Sequence, residues 1–135
     1  MTHVSIAGLR IGMKGEASVV VGDEHTAPRI GSGRIAVLAT PVMINLMEAA
    51  ALAAIEGHLA GGHQSLGTRL DITHVAATPV GMRVTATAEV TALDGRTVTM
   101  RVEARDEKEP IGGGSHDRVV VNVARFDARV QTKAI

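Results

Sequence analysis

Two side chains able to move protons stand in segments that otherwise read as apolar core. In "DITHVAATP", residues 71–79, strand alternation places Asp71, Thr73 and Val75 on one face, with Ile72 and His74 on the other. His74 therefore points the way an isoleucine points, which is inward. Taken alone, a histidine satisfied within the core accounts for it, and a second inward polar group would change the balance. Glu48 is that group. In "LATPVMINLMEAA", residues 38–50, it lies between Met47 and Ala49 in an apolar helical run, and ionised acids are seldom buried unpaired. Two readings stand. Glu48 falls on a narrow polar stripe shared with Glu56, or it faces a small apolar chamber that makes a carboxylate a stronger base. An acid and an imidazole in one chamber are the tools of general acid–base chemistry.

Other constellations are weaker. "IGGGSHDR", residues 111–118, leads three glycines into a strand carrying His116, Asp117 and Arg118. A tight turn or bulge explains the glycines and a solvated rim the charges; the functional alternative sets Arg118 against an anionic group. "GSGRIA", residues 31–36, matches a dinucleotide fingerprint in letters, but no apolar strand precedes it and the helix begins too late, so it reads as a mobile loop. The six histidines show no metal-ligand spacing.

These groups need a scaffold. The 135 residues suffice for one domain, taken as 1–135, and 45% are hydrophobic. Fourteen basic residues balance fourteen acidic ones, and the single aromatic ring is Phe126. No net charge calls for nucleic acid, and base stacking has almost nothing to use. There is no cysteine, which excludes thiol nucleophiles and suits a reducing cytoplasm. The N-terminal stretch lacks the basic start of a signal peptide, and no apolar run is long enough for a membrane span.

The pattern predicts a first strand over 14–21, a polar loop or lid over 22–33, and an apolar helix opened by Thr40 as N-cap with Pro41 at N1. Strands follow in "SLGTRLDITHVAA", "MRVTATAEVTAL", "RTVTMRVEAR" and "SHDRVVVNVARF", with Asp94-Gly95 marking a hairpin. One apolar helix against an antiparallel sheet is an α+β architecture with a face left to bury, which favours a dimer.

"ATPVMINLMEAA", "SLGT", "THVAATPVG" and "IGGGSHDR" with "RVVVNVARFDARV", in this order, resemble the fluoroacetyl-CoA thioesterase family of hotdog-fold proteins, over residues 15–133. The resemblance implies a long helix wrapped by an antiparallel sheet, a homodimer with active sites at its interface, and an acyl-CoA substrate. It implies a catalytic set of Thr40, Glu48 and His74, with Gly67 and Arg118 binding substrate. Glu48 would serve as general base or nucleophile, His74 would hold a proton and orient its partners, and the Thr40 hydroxyl would position the attacking group or attack. The Gly67 amide could approach the thioester oxygen unobstructed.

Geometry constrains this set. Eight residues of helical rise separate Thr40 from Glu48 by ~12 Å, too far for direct contact. Either the helix begins later, or the site joins them through His74 or across a dimer. The segment before Thr40, "APRIGSGRIAVLA", has none of the rings that resemble the family's lid over a fluorinated acyl group, so a general short-chain acyl-CoA is the expected substrate. No metal or redox cofactor is required. Two other functions use the same parts: a non-catalytic acyl-CoA-binding module, and a hotdog hydratase or dehydratase acting on a carbon–carbon double bond.

Overall fold

A computed structural model describes residues 6–135. The expectation for the N-terminal leader falls largely on residues 1–5, outside the described residues. Strand β1 (Lys14–Val20) is followed by a 3₁₀ turn (Asp23–His25), a single helical turn α1 (Ala27–Ile30) and the long helix α2 (Thr40–Ile55). Then come β2 (His63–His74), β3 (Arg83–Asp94), β4 (Thr97–Arg105), β5 (Pro110–Asn122) and a terminal helix α3 (Val123–Lys133). The strands form one antiparallel sheet in the order β1-β3-β4-β5-β2, with β2 as an open edge. This is the expected α+β hotdog arrangement.

Alternation along the strands builds the core. Val84, Ala86, Ala88 and Val90 of β3 and Val98, Met100, Val102 and Ala104 of β4 are buried, while their neighbours face out. Onto this face α2 sets Met43, Met47, Ala50, Ala51, Ala54 and Ile55, one stripe of a 3.6-residue period. The alanines bring the helix close. At Gly15, an added Cβ would run into the Ala50 carbonyl and the Ala54 amide, so β1 and α2 meet backbone to backbone. The helix lies chiefly across β1 and β3 and has little contact with β2, which leaves the β5–β2 half of the inner face for polar groups.

Four local readings are corrected. The helix begins one residue earlier than the capping signature suggests: Ala39 is the N-cap and Thr40 the first helical residue. "NVARF" is not the end of a strand. The Asn122 side chain accepts from the Arg125 amide at 3.1 Å and caps α3. The glycines of "IGGG" form no turn but lie within β5, where Gly112 pairs with both His74 and Ala104; the bulge half of the reading holds, as the register with β4 shifts at Ile111. A Cβ on Gly112 would sit 2.9 Å from the Met43 sulfur, and one on Gly114 would strike the Asp71 carbonyl; the run exists because two strands and a helix crowd there. The polar segment 22–33, read as a loop, holds the 3₁₀ turn and α1. Asp94-Gly95 does close the β3–β4 hairpin, with Gly95 at φ +61° as the first of two loop residues.

Replacing Gly15 by alanine forces α2 off β1 and should cost upward of about 2 kcal/mol. Gly57, which has open space around its Cβ position, should accept alanine within about 0.5 kcal/mol. Urea midpoints of the two variants test the contrast; equal midpoints would show that the helix is not held at van der Waals contact.

Candidate active site

The one-residue shift at the start of α2 decides what Thr40 can do. As N-cap its hydroxyl would accept from a helix amide. As the first helical residue it has no such duty, and its Oγ1 lies 2.7 Å from Nδ1 of His74 at the end of β2. That distance is a short, well-formed hydrogen bond. The end of β2 is fixed from both sides: the Val75 amide donates to the Ile111 carbonyl at 2.7 Å, and the Leu38 amide, two residues before Thr40, donates to the Thr78 carbonyl at 2.9 Å. Thr78 is itself pinned by donating to Asp106 at 2.9 Å.

The imidazole is half-buried, and its Nε2 has no hydrogen-bond partner. Burial holds the His74 ring below the usual histidine range, an effect that the Ala76 backbone, by favouring the charged ring, offsets only in part. At neutral pH the ring is therefore uncharged and able to take a proton. An uncharged imidazole against a hydroxyl is the nucleophile-and-base arrangement of covalent catalysis.

Glu48 occupies a second cluster. Its Oε2 accepts from Nη1 of Arg118 at 3.1 Å. Arg118 is only 5% exposed and each of its three guanidinium nitrogens donates: Nε to the Ser65 hydroxyl at 2.8 Å and Nη2 to the Ser65 carbonyl at 3.0 Å. Nη1 also donates to Nε2 of His116 at 3.1 Å. Since a guanidinium can only donate, His116 must accept at Nε2 and carry its proton on Nδ1, which donates to the Arg69 carbonyl at 2.9 Å. The 3.9 Å approach of that Nε2 to Glu48 is thus a contact between acceptors rather than an ion pair. Gly67 lies against the carboxylate, where a Cβ would come within 2.6 Å of Oε2. The sheet leaves this spot open for a backbone approach that no other residue allows.

The sequence placed Glu48 on a polar stripe or in an apolar chamber. Its carboxylate is 36% exposed and paired with a guanidinium, so neither account is complete. His116 and Arg118 are buried rather than part of a solvated rim. His116 and Ser65 were not singled out as site residues, although strand alternation with Val120 puts His116 and Arg118 on the inward side.

Both clusters depend on one irregularity in β2. Gly67 pairs with Arg118 and Leu70 with His116, with a register shift between Gly67 and Arg69. Ordinary alternation would send Gly67 and His74, an odd number of residues apart, to opposite faces. The bulge resets the parity so that both face inward.

No hydrogen bond joins the two clusters. The helix begins at Thr40, so the rise of ~12 Å to Glu48 stands. An open groove of about 380 Å³ adjoins Thr40 and His74, walled by Val37, Leu38, Val75 and Ala76. A larger hollow of about 680 Å³ lies on the other face of the sheet, lined by Thr85, Thr87, Glu103 and Arg105. None of Thr40, His74, Glu48, His116 and Arg118 lines it.

The geometry has close counterparts among known proteins. Residues 21–124 match the family model described as fluoroacetyl-CoA-specific thioesterase. The fluoroacetyl-CoA thioesterase of Streptantibioticus cattleyicolor is 44% identical over 97 residues, which are 72% of this chain and 70% of that protein. A solved structure of a fluoroacetyl-CoA thioesterase is similar with a TM-score of 0.87 at 37% identity, over 93% of this chain and 97% of that one. A threonine-to-serine variant of it, in complex with acetyl-CoA, gives a TM-score of 0.87 at 35% identity over 94% and 100% of the two chains.

A group whose folded pKa lies below its unfolded value binds fewer protons when folded, so stability rises with pH through that window. For His74 the contribution is complete above about 6.5 and is lost as pH falls toward the folded value. Urea midpoints should therefore drop between pH 7 and pH 5, and His74→Asn should flatten part of that drop. A His74 proton resonance titrating above 6.5 would contradict the burial account.

Proposed function

Because the chain belongs to the fluoroacetyl-CoA-specific thioesterase family, we propose that it hydrolyses a short acyl-CoA thioester to the free acid and CoA. The observation that carries this reading is the 2.7 Å hydrogen bond between Thr40 and His74. His74 takes the Thr40 proton as the hydroxyl oxygen attacks the acyl carbon, and the same proton passes to the departing CoA sulfur as the carbon–sulfur bond breaks. Glu48, steered by the anchored Arg118 and open to water, then takes the proton of the water molecule that attacks the acyl-threonine ester, and that proton is returned to the Thr40 oxygen as the carbon–oxygen bond breaks and the free acid leaves. In this reading the Gly67 amide faces the oxyanion. Arg118 acts on the substrate through Glu48, since four of its five N–H donors are already committed within the protein.

The ~12 Å between the two clusters is bridged in this reading by a second copy of the chain, acting with the first in the cytoplasm. Three features support a homodimer. β2 is a twelve-residue open edge, far longer than the short, guarded edges that isolated sheets keep. It leaves Leu66 and Leu70 more than a third exposed, and α2 hardly covers it. A non-catalytic binding module would not need the paired hydroxyl and imidazole. Among the described residues no helix is long and apolar enough to cross a membrane.

Thiol release from acetyl-, propionyl- and butyryl-CoA tests the activity directly. Wild type should turn over at least one ester; Thr40→Ala, His74→Ala and Glu48→Gln should each lower kcat by about 10²-fold or more. Tight binding of every ester with no thiol released would instead support the binding module, and hydration of an enoyl-CoA would support the hydratase.

Sedimentation checks the assembly. A mass near twice 14.0 kDa is expected for the wild type. Leu70→Glu should shift the protein toward monomer and abolish thiol release together; a fully active monomer would remove the interface from the mechanism.

A further inference from the structure

The groove beside Thr40 and His74 has an uneven charge. Its walls are small or apolar: Ala27, Ile35, Val37, Val75 and Ala76 among them. No carboxylate lines it, and His74 is uncharged at neutral pH for the reason given above. One cation stands there, Arg34, on the segment between α1 and α2. That segment is closed at its base by the Thr26–Leu38 bridge and by the Ala27 amide donating to the Val37 carbonyl at 2.9 Å. Its residues therefore arch over the groove from a fixed footing.

Arg34 has no internal partner. Of the two acids nearest along the chain on that side, Asp23 is already held by Arg29 at 2.7 Å, and Glu24 lies 3.6 Å from His25. No hydrogen bond or ion pair among the described residues engages the Arg34 guanidinium. The guanidinium is exposed beside these apolar walls, so its fork remains available to an anion that can accept two parallel hydrogen bonds.

We propose that Arg34 selects the substrate: the preferred acyl-CoA carries a free carboxylate at the far end of a short acyl chain, and the Arg34 guanidinium receives it. This rests on the thioesterase reading and names its substrate class. The far carboxylate takes no part in bond making. It fixes the chain along the groove so that the thioester carbon sits at the Thr40 hydroxyl. A neutral acyl group of the same length would fill the groove without engaging the one cation there.

The test compares succinyl-CoA with butyryl-CoA, which match in chain length and differ in the terminal carboxylate. Wild type should favour succinyl-CoA in kcat/KM by tenfold or more, and Arg34→Gln should bring the ratio close to one. Arg34→Glu should make butyryl-CoA the better substrate. The phosphates of CoA are the other anion within the substrate, so the same acyl pair is presented on pantetheine, which has none. Persistence of the succinyl preference there, and its loss in Arg34→Gln, places the guanidinium at the acyl carboxylate. If Arg34→Gln instead slows both CoA esters equally and neither pantetheine ester, Arg34 reads the phosphates and the proposal fails. Equal wild-type rates for succinyl- and butyryl-CoA also overturn it while leaving the thioesterase intact. If no ester is cleaved, the thioesterase reading falls, and calorimetry on the two CoA esters still decides: a succinyl preference lost in Arg34→Gln upholds the selector, and equal affinities refute it.

Discussion

The buried guanidinium of Arg118 dictates much of what surrounds it. A charge taken out of water costs several kcal/mol unless hydrogen bonds and an opposite charge compensate it. Here the compensation comes from four directions: the hydroxyl and carbonyl of Ser65, Nε2 of His116 and the carboxylate of Glu48. Each requirement leaves a mark in the sequence. The residue two before Arg118 must accept, which selects an imidazole over an aliphatic side chain. The facing strand must offer a small hydroxyl at Ser65 and no side chain at Gly67. The helix must carry an acid where its pattern otherwise calls for an apolar or neutral residue. The acid in "NLMEAA" is thus explained first as the counter-charge of a buried arginine, and only then as a reagent.

The same arrangement suits chemistry. Glu48 is tied at one oxygen to a guanidinium that cannot move, so its carboxylate is oriented without the entropy of a free surface side chain. It is also partly exposed, so a water molecule can reach it. The Thr40–His74 pair is built on the opposite principle. Its imidazole is kept uncharged by burial, and its hydroxyl is released from capping by a one-residue difference in where the helix starts. One cluster compensates a buried charge with an opposite one, and the other keeps an imidazole uncharged by burial.

The strands were legible because their period of two survives wherever one face is buried, as in Val84 to Val90 and Val98 to Ala104. The helix was legible from the spacing of Met43, Met47, Ala50, Ala51 and Ala54. His74 was legible as an inward residue because it follows Ile72 by two. Other features depend on partners distant in sequence. Nothing near Thr40 says whether its hydroxyl caps the helix or serves His74, thirty-four residues away. Nothing within "IGGG" says that the crowding comes from Met43 and the backbone of β2. The α3 helix was hidden because Val119 to Val121 continue the β-branched run into it, and the cap at Asn122 looks the same as an ordinary strand-ending asparagine. Local preference weighs little there against tertiary packing.

The bulge in β2 joins these threads. A one-residue change of register turns every side chain of a strand to its other face, and β2 makes that change in mid-strand, between Gly67 and Arg69. Before it, Ser65 and Gly67 face the Arg118 cluster; after it, Ile72 and His74 share that inward face, and His74 reaches the groove. Without the extra residue the strand could serve one cluster only, and its other half would direct apolar side chains to solvent. A bulge also increases local twist, and on an open edge strand that twist sets how a second strand could lie alongside. The residue that brings Gly67 and His74 to one face therefore also shapes the edge through which the two clusters of different protomers would meet.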